Sequence, residues 1–200
     1  NTPIVWQGTP YRPVVFTARD DWSIGQGITP SNSLSGYYAG IALEINASTA
    51  NADATLQNLR ITRAQTGIAL NGRTNHVVSH AQFVDCQNGI KPASAEFRLR
   101  NALFANVLTN FNGTSSTGRC EQVTVDTAGW LNYNSQIQLN LTSSLLAGVT
   151  NLGTYSGSGN ATASSPSGLF QSVGAGAHYL AAGSAHRDAG ITGIDPILAS

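Results

Sequence analysis

The chain has 200 residues, of which ten are acidic and ten are basic, so its formal net charge is zero. This balance argues against an electrostatic nucleic-acid footprint and against a charged membrane-binding patch. No apolar run is long enough to span a bilayer, and a hydrophobic content of 41% argues against a disordered chain. We therefore expect one folded domain with neither nucleic acid nor membrane insertion among its partners.

The first 36 residues contain two short β-type runs, at 3–6 and 13–17, joined by a Gly-Thr-Pro segment. A polar loop follows, in which Asp20, Asp21 and Trp22 are adjacent. Two carboxylates beside an aromatic ring are a candidate binding site, but calcium takes about six to eight oxygen ligands, and the others would have to come from elsewhere. The alternative is an Asx-type turn that shapes the loop. We predict no metal ion and no cofactor.

The middle of the chain repeats. The segment 58–68 aligns with 80–90 after a shift of about 22 residues and with 101–111 after a further shift of about 21. Two more shifts reach 122–128 and 143–149. Such a period is typical of a solenoid, and the apolar positions within each unit alternate as a strand requires. The leucine-rich repeat has a similar period, but its signature is absent and no segment has helical spacing, so the repeat predicts a parallel β-helix.

Equivalent positions of successive repeats form columns of small or apolar residues. Such columns are expected of side chains that point into a shared interior. Because one coil cannot bury its own apolar face, neighbouring coils must stack at strand spacing, about 4.8 Å. The predicted core residues are Leu59, Ile61, Phe83, Phe104, Val125 and Leu146. A third apolar column comprises Ala64, Cys86, Val107, Ala128 and Val149.

One further column is polar throughout. Its members are Asn58, His80, Asn101, Gln122 and Ser143. We interpret this column as a ladder of stacked side chains that exchange hydrogen bonds between coils. His80 is also a candidate general base, but its place in the column favours a structural role. Arg100 and Glu121 occupy equivalent positions one coil apart, and we expect a surface ion pair worth about 0–1 kcal/mol.

The two cysteines, Cys86 and Cys120, lie two layers apart and in different columns of this register. Their separation should therefore approach about 10 Å. A disulfide requires Cα atoms within about 7 Å. We predict two buried thiols that behave as small hydrophobic side chains.

Three stretches, within 7–25, 54–68 and 168–190, resemble large secreted bacterial right-handed parallel β-helix proteins, the pectate-lyase-like solenoids. The first carries Gly-Thr-Pro and Pro-Val-Val-Phe-Thr, and the last carries Asp-Ala-Gly. Two departures from the family pattern occur. Residues 37–43 have Tyr and Ala where the family has a Trp-Gly-Gly-Ile strand, and Ala-His-Arg at 185–187 replaces Pro-Ala-Ile.

The resemblance implies a right-handed parallel β-helix of about six to eight coils that forms a single domain over residues 1–200. Within it we expect an N-terminal coil or cap at 1–36, regular coils at 37–150, a Gly/Ser-rich loop at 151–167 and a closing coil at 168–200. An extracellular or cell-surface location is the matching expectation. The chain begins at Asn1 and contains no methionine, which indicates a processed or excised piece. In the family, earlier coils precede the first stretch, so the first coil here would expose an unpaired strand layer. Either residues 1–12 form a cap over this layer, or another chain supplies the missing one.

Pectate lyases and polygalacturonases share this fold, so an enzyme is a further hypothesis for this chain. Sugar hydrolysis needs paired carboxylates about 5 to 9.5 Å apart. The candidates Asp85 and Asp126 lie two coils apart in neighbouring columns, and the catalytic sequence patterns of both enzyme groups are absent. Whether the chain is an enzyme stays open, with a non-catalytic role favoured. Asp85 and Asp126 join residues 20–22 as predicted binding residues.

Three hypotheses follow, in order of preference. The first is a non-catalytic extracellular structural or adhesive module that stacks end to end with copies of itself. The second is a polysaccharide-binding module, since exposed aromatic rings stack on sugars. The third is a polysaccharide lyase or hydrolase with an unrecognised site. The aromatic candidates are Trp22, Tyr37, Tyr38, Trp130 and Tyr133.

Overall fold

The structure is a computed structural model that describes residues 7–24, 34–46, 53–72, 75–174 and 176–191. Within these ranges the chain is all-β apart from one short 3-10 turn. A single sheet of eleven parallel strands coils into a β-solenoid of about five turns. The predicted parallel β-helix is thus confirmed, with a coil count slightly below the expected one. The β-type run predicted at 3–6 lies outside the described residues.

The strands, numbered in chain order, are β1 Val14–Phe16, β2 Ala39–Asn46, β3 Thr55–Thr62, β4 Ala64–Asn71, β5 Asn75–Val84, β6 Asn88–Ala93, β7 Glu96–Phe111, β8 Ser116–Asn132, β9 Ile137–Thr142, β10 Leu145–Asn151, β11 Ala161–Ala163, β12 Phe170–Val173 and β13 Gly176–Leu180. The 3-10 turn, Tyr133–Ser135, separates β8 from β9. Long strands such as β7 run through the bends of the coil, so that one strand serves two faces of the solenoid.

The register predicted from the repeats is the observed one. Leu59 pairs with Ala81 and, on the same strands, Ile61 pairs with Phe83. Phe83 pairs in turn with Phe104, and their rings stack with centroids 4.8 Å apart. All six predicted core residues are at most 1% exposed. The interior is therefore built from equivalent side chains of successive coils.

The polar column has a role that we did not predict. All five of its members have a positive φ, between 47° and 54°. Left-handed backbone of this kind bends the chain, and Asn adopts it more readily than most residues do. Only one hydrogen bond joins two of these five side chains, from Asn101 to His80. The column is thus a row of bends rather than a continuous hydrogen-bonded ladder.

Two further rows of bends complete each coil. The second row also has positive φ throughout and comprises Arg63, Asp85, Asn106, Thr127 and Gly148. The third contains Gly72, Ser94 and Ser115. The three rows divide the surface into three faces. Face A holds residues 59–62, 81–84, 102–105, 123–126 and 145–147; face B follows it in each coil; face C holds 75–79, 96–100, 116–121 and 137–142.

Both cysteines are free and buried, as predicted. Burial raises the pKa of the Cys86 thiol, and it raises that of the Cys120 thiol far more. Each is 1% exposed and belongs to the hydrophobic core. Both therefore pack as small apolar side chains.

The predicted ion pair is present, since Arg100 Nε lies 3.8 Å from Glu121 Oε2. It is not the surface pair that we expected, because Arg100 is only 6% exposed. The strand register places Arg100 between Ser79 and Glu121 of the two neighbouring coils. A side chain in a middle coil is flanked by side chains of the coils before and after it. The aliphatic part of Arg100 is therefore shielded from water.

The end of the chain differs from the sequence expectation. The segment 151–167, expected to be a loop, carries β11, which pairs in parallel with β10 and so extends the solenoid. The segment 168–200, expected to be a closing coil, instead contains an antiparallel hairpin of β12 and β13. The hairpin packs on face A through an interaction between His178 and Asp126. Residues 192–200 lie outside the described ranges.

Candidate functional site: a groove on face A

A groove of about 550 Å³ lies on face A. Pro10 and Pro13, from the segment before β1, line its end beside β3, and strand β13 of the C-terminal hairpin forms a wall. The lining extends from Asn58 in the first complete coil to Thr124 three coils further along. Three strand spacings make about 14 Å, so the groove can hold an extended chain rather than a single small molecule.

One outward-facing residue from each coil forms the floor of the groove. These residues are in register along the sheet: Arg60, Gln82, Leu103 and Thr124. They face outward because the residues on either side of each, such as Leu59 and Ile61, point into the core. The floor therefore offers a guanidinium, an amide, an apolar side chain and a hydroxyl at strand spacing.

His80 lies along one edge of the floor and faces the solvent. Its Nδ1 is 2.9 Å from Nδ2 of Asn101. Because an amide nitrogen can only donate, Nδ1 accepts this bond and the neutral ring carries its proton on Nε2. In this arrangement His80 offers a hydrogen-bond donor at Nε2, and its general-base role stays a prediction.

Two buried polar atoms in the groove lining have no hydrogen-bond partner. Asn58 is 8% exposed and donates from Nδ2 to the Gly8 carbonyl, but its Oδ1 is unpaired. The Nε of Arg60 is also buried and unpaired. Buried polar atoms are satisfied in the great majority of cases, and each exception calls for an explanation. Both atoms have almost no accessible surface, so a molecule in the groove does not reach them in this conformation.

The hairpin wall is held to face A by its own side chains. His178 Nε2 lies 2.9 Å from Asp126 Oδ2, and the imidazole also packs against the ring of Phe170 at 5.4 Å. Tyr179, which follows His178, is 54% exposed and lines the groove. The Tyr179 ring contacts the backbone at Gly176, where an added Cβ would lie 2.5 Å from it. The hairpin therefore presents an anchored aromatic ring.

The predicted residues 20–22 do not line this groove. The backbone N–H of Ser23 donates to Asp21 Oδ1 at 3.0 Å, and the hydroxyls of Ser23 and Thr17 also donate to the Asp21 carboxylate. Hydrogen bonds from Ser23, then from Thr17, hold the pKa of Asp21 below its usual value. This is the geometry of the Asx-type turn. Asp20 pairs with exposed Arg19.

Asp85 and Asp126 are in neighbouring columns two coils apart, as the repeats predicted. Asp85 lies in the second row of bends, where Arg63 NH2 is 3.2 Å from Oδ2 and Asn106 donates to Oδ1 at 2.7 Å. Asp126 is bonded to His178 and accepts from the Thr127 hydroxyl at 3.0 Å. Both carboxylates are already engaged, and their predicted binding role stays a prediction.

The aromatic residue of the groove is Tyr179, which was not among the residues predicted from the sequence. None of the five aromatic candidates lines the groove. Four of them are exposed at other places, and Trp130 is half-buried with its ring 5.3 Å from that of Tyr133. Tyr179 belongs to the non-repeating C-terminal segment, so the alignment of the repeats contains no position equivalent to it.

Within the described ranges, no group of three or more His, Cys, Asp or Glu side chains could hold a metal ion. The same ranges contain no helix long and apolar enough to cross a membrane. Comparison with known proteins found no matching family model, no matching curated protein and no matching solved structure. The solenoid fold is therefore established by the structure alone, whereas membership of the secreted bacterial β-helix family stays a prediction.

Proposed function

We propose that this chain is a non-catalytic adhesive module that binds a polysaccharide strand along the groove on face A. The observation that carries the proposal is the groove itself, which runs across four coils and has the exposed ring of Tyr179 in its lining. Sugar hydroxyls both donate and accept hydrogen bonds, so one kind of ligand can bond to the different polar side chains of the floor.

The remainder of the lining fits the same ligand. Gln82 and Thr124 provide further donors and acceptors along the floor, and His80 contributes an Nε2 donor at the edge. Tyr179 offers an exposed ring, the type of surface on which the apolar face of a sugar stacks. The floor residues lie one strand spacing apart, about 4.8 Å, so they can contact successive units of an extended polymer.

Two features support binding without catalysis. No Asp or Glu is among the described residues that line the groove, whereas glycoside hydrolysis uses two carboxyl groups about 5 to 9.5 Å apart. Asp126, beside the groove, is bonded to His178. This bond and the one from the Thr127 hydroxyl engage both oxygens of the Asp126 carboxylate. An extracellular or cell-surface location is part of the same proposal.

The test is affinity for a panel of neutral and acidic polysaccharides, measured by calorimetry or affinity electrophoresis. Replacing Tyr179 with alanine removes the stacking surface, and we expect it to weaken binding by about three- to tenfold. Gln82→Ala removes hydrogen bonds from the floor, and a smaller loss is expected.

The matched control is Tyr37→Ala, which removes a tyrosine that is 42% exposed and lies outside the groove. It should bind like the unaltered protein. If no polysaccharide binds, or if Tyr37→Ala weakens binding as much as Tyr179→Ala, the groove is not a polysaccharide site.

A second candidate function is self-assembly, which a different observation favours. Strands β1 and β2 stand at the two ends of the sheet order, and each pairs with a single strand among the described residues. Beside them lies a recess of about 530 Å³, whose lining combines apolar residues such as Phe16 and Ile41 with Arg19 and Arg63. Ile41 is 44% exposed. An open apolar strand edge is a template for pairing with another chain.

Sedimentation velocity or light scattering over a range of concentrations tests this candidate. Self-association through the first coil predicts oligomers or filaments that Ile41→Lys disrupts, because a lysine at an edge blocks strand pairing. Leu108→Lys is the control, since Leu108 is 53% exposed but lies in the middle of the solenoid. A concentration-independent monomer would remove the candidate.

A further inference from the structure

Two arginines are stacked on face C. Arg98 of β7 pairs in register with Arg119 of β8. The residues beside them, Leu99 and Cys120, are buried in the core, so both guanidinium groups project from the outer surface of the sheet. Directly opposed like charges on neighbouring strands are unfavourable.

No acidic residue of the described chain forms an ion pair with either arginine. Their neighbours in the same column are uncharged, namely Val77 on one side and Asn140 on the other. Glu121, in the next column, is taken by Arg100 at 3.8 Å. The centre of face C therefore carries two arginines that form no ion pair with any described residue.

A recess of about 120 Å³ is lined by both arginines. Asn75 and Thr117 also line it and add an amide and a hydroxyl. Glu96 lines the same recess, and its carboxylate opposes the binding of an anion. The recess is on face C, whereas the groove is on face A, and the two share no lining residue.

We propose that Arg98 and Arg119 together bind a tetrahedral oxyanion, that is, a sulfate or phosphate group, in this recess. Guanidinium groups bind such anions through paired, charge-assisted N–H bonds. An anion between the two side chains also replaces their mutual repulsion by two attractions. The group reaches the site either as a free ion or as an ester on a polymer, since both present the same oxygens.

The experiment titrates the protein with sodium sulfate and with sodium phosphate at constant ionic strength set by chloride. Calorimetry and the Nε–H resonances of the arginine side chains report binding. Saturable binding that shifts the resonances of Arg98 and Arg119 is expected. Arg98→Gln and Arg119→Gln should each weaken binding by about tenfold or more. Glu96→Gln should strengthen it, because the opposing carboxylate is lost.

Arg187→Gln is the matched control, since Arg187 is exposed and makes no ion pair among the described residues. It should leave binding unchanged. Circular dichroism checks that each variant is folded. If Arg98→Gln unfolds the chain, Arg119→Gln tests the site by itself, because Arg119 is the more exposed of the pair.

Dextran sulfate, with uncharged dextran as its control, distinguishes the two sources of the anion. Binding of dextran sulfate but not of free sulfate, dependent on both arginines, identifies a polymer ester as the ligand. The proposal is overturned if neither probe binds, or if Arg187→Gln weakens binding as much as Arg98→Gln. Tyr179→Ala should not alter sulfate binding. The oxyanion proposal can therefore fail while the polysaccharide proposal for the groove on face A holds, and the reverse.

Discussion

Replacing Phe104 with alanine is expected to lower the free energy of unfolding by about 3–5 kcal/mol. Phe104 has no exposed surface and lies at the centre of an aromatic cluster. Its ring stacks on Phe83 at 4.8 Å and meets Phe111 edge to face at 5.3 Å. The coils on both sides are held by their own hydrogen bonds, so the surrounding backbone cannot collapse into the space that alanine leaves.

Urea denaturation followed by far-UV circular dichroism measures this change. Leu108→Ala is the control, because Leu108 is 53% exposed and its removal opens no cavity. Its effect should stay within about 0.5 kcal/mol. If Phe104→Ala lowers the free energy of unfolding by less than about 1 kcal/mol, the column Ile61, Phe83, Phe104, Val125 is not the main contributor to the stability of the core.

Replacing Gly118 with alanine is expected to destabilise the fold by about 1–3 kcal/mol through overpacking. Gly118 of β8 lies opposite Phe97 of β7. An added Cβ would lie 2.4 Å from Phe97 Cζ, and the next two nearest atoms belong to the same ring. Phe97 is 1% exposed, so its ring has no open space into which to move.

A double-mutant cycle identifies the cause of the Gly118→Ala effect. In a Phe97→Leu background the added methyl group meets a smaller side chain, so the cost of Gly118→Ala should fall. Gly183→Ala is the control, because no atom lies within 4 Å of the Cβ that it adds. Equal costs of Gly118→Ala in both backgrounds would indicate a backbone effect instead of a clash with the ring.

The repeats were sufficient to predict the solenoid and its register because each coil makes the same contacts as the previous one. A side chain such as Phe83 then has its neighbours at a constant distance along the chain, and a column can be read directly from the spacing. The free, buried state of Cys86 and Cys120 followed from the same register. The polar column was located correctly, but its residues form bends, since an Asn in a ladder and an Asn at a left-handed bend look alike in sequence.

The groove could not be predicted in the same way. Its floor residues, Arg60, Gln82, Leu103 and Thr124, are outward positions that share no chemical type, so no column marks them. Its aromatic wall is Tyr179, more than fifty residues from the floor, on a hairpin that was expected to be a closing coil.

The amino-acid sequence by itself determined the parallel solenoid, its period and its buried columns, because local alternation and a regular repeat specify which side chains face the shared interior. Only the tertiary structure decided where the non-repeating C-terminal hairpin packs, through His178 on Asp126, and hence that face A carries a groove. It also decided that Arg98 and Arg119 stand side by side with no acidic partner in the described chain. Such contacts depend on the docking of surfaces from distant segments, which no periodicity encodes.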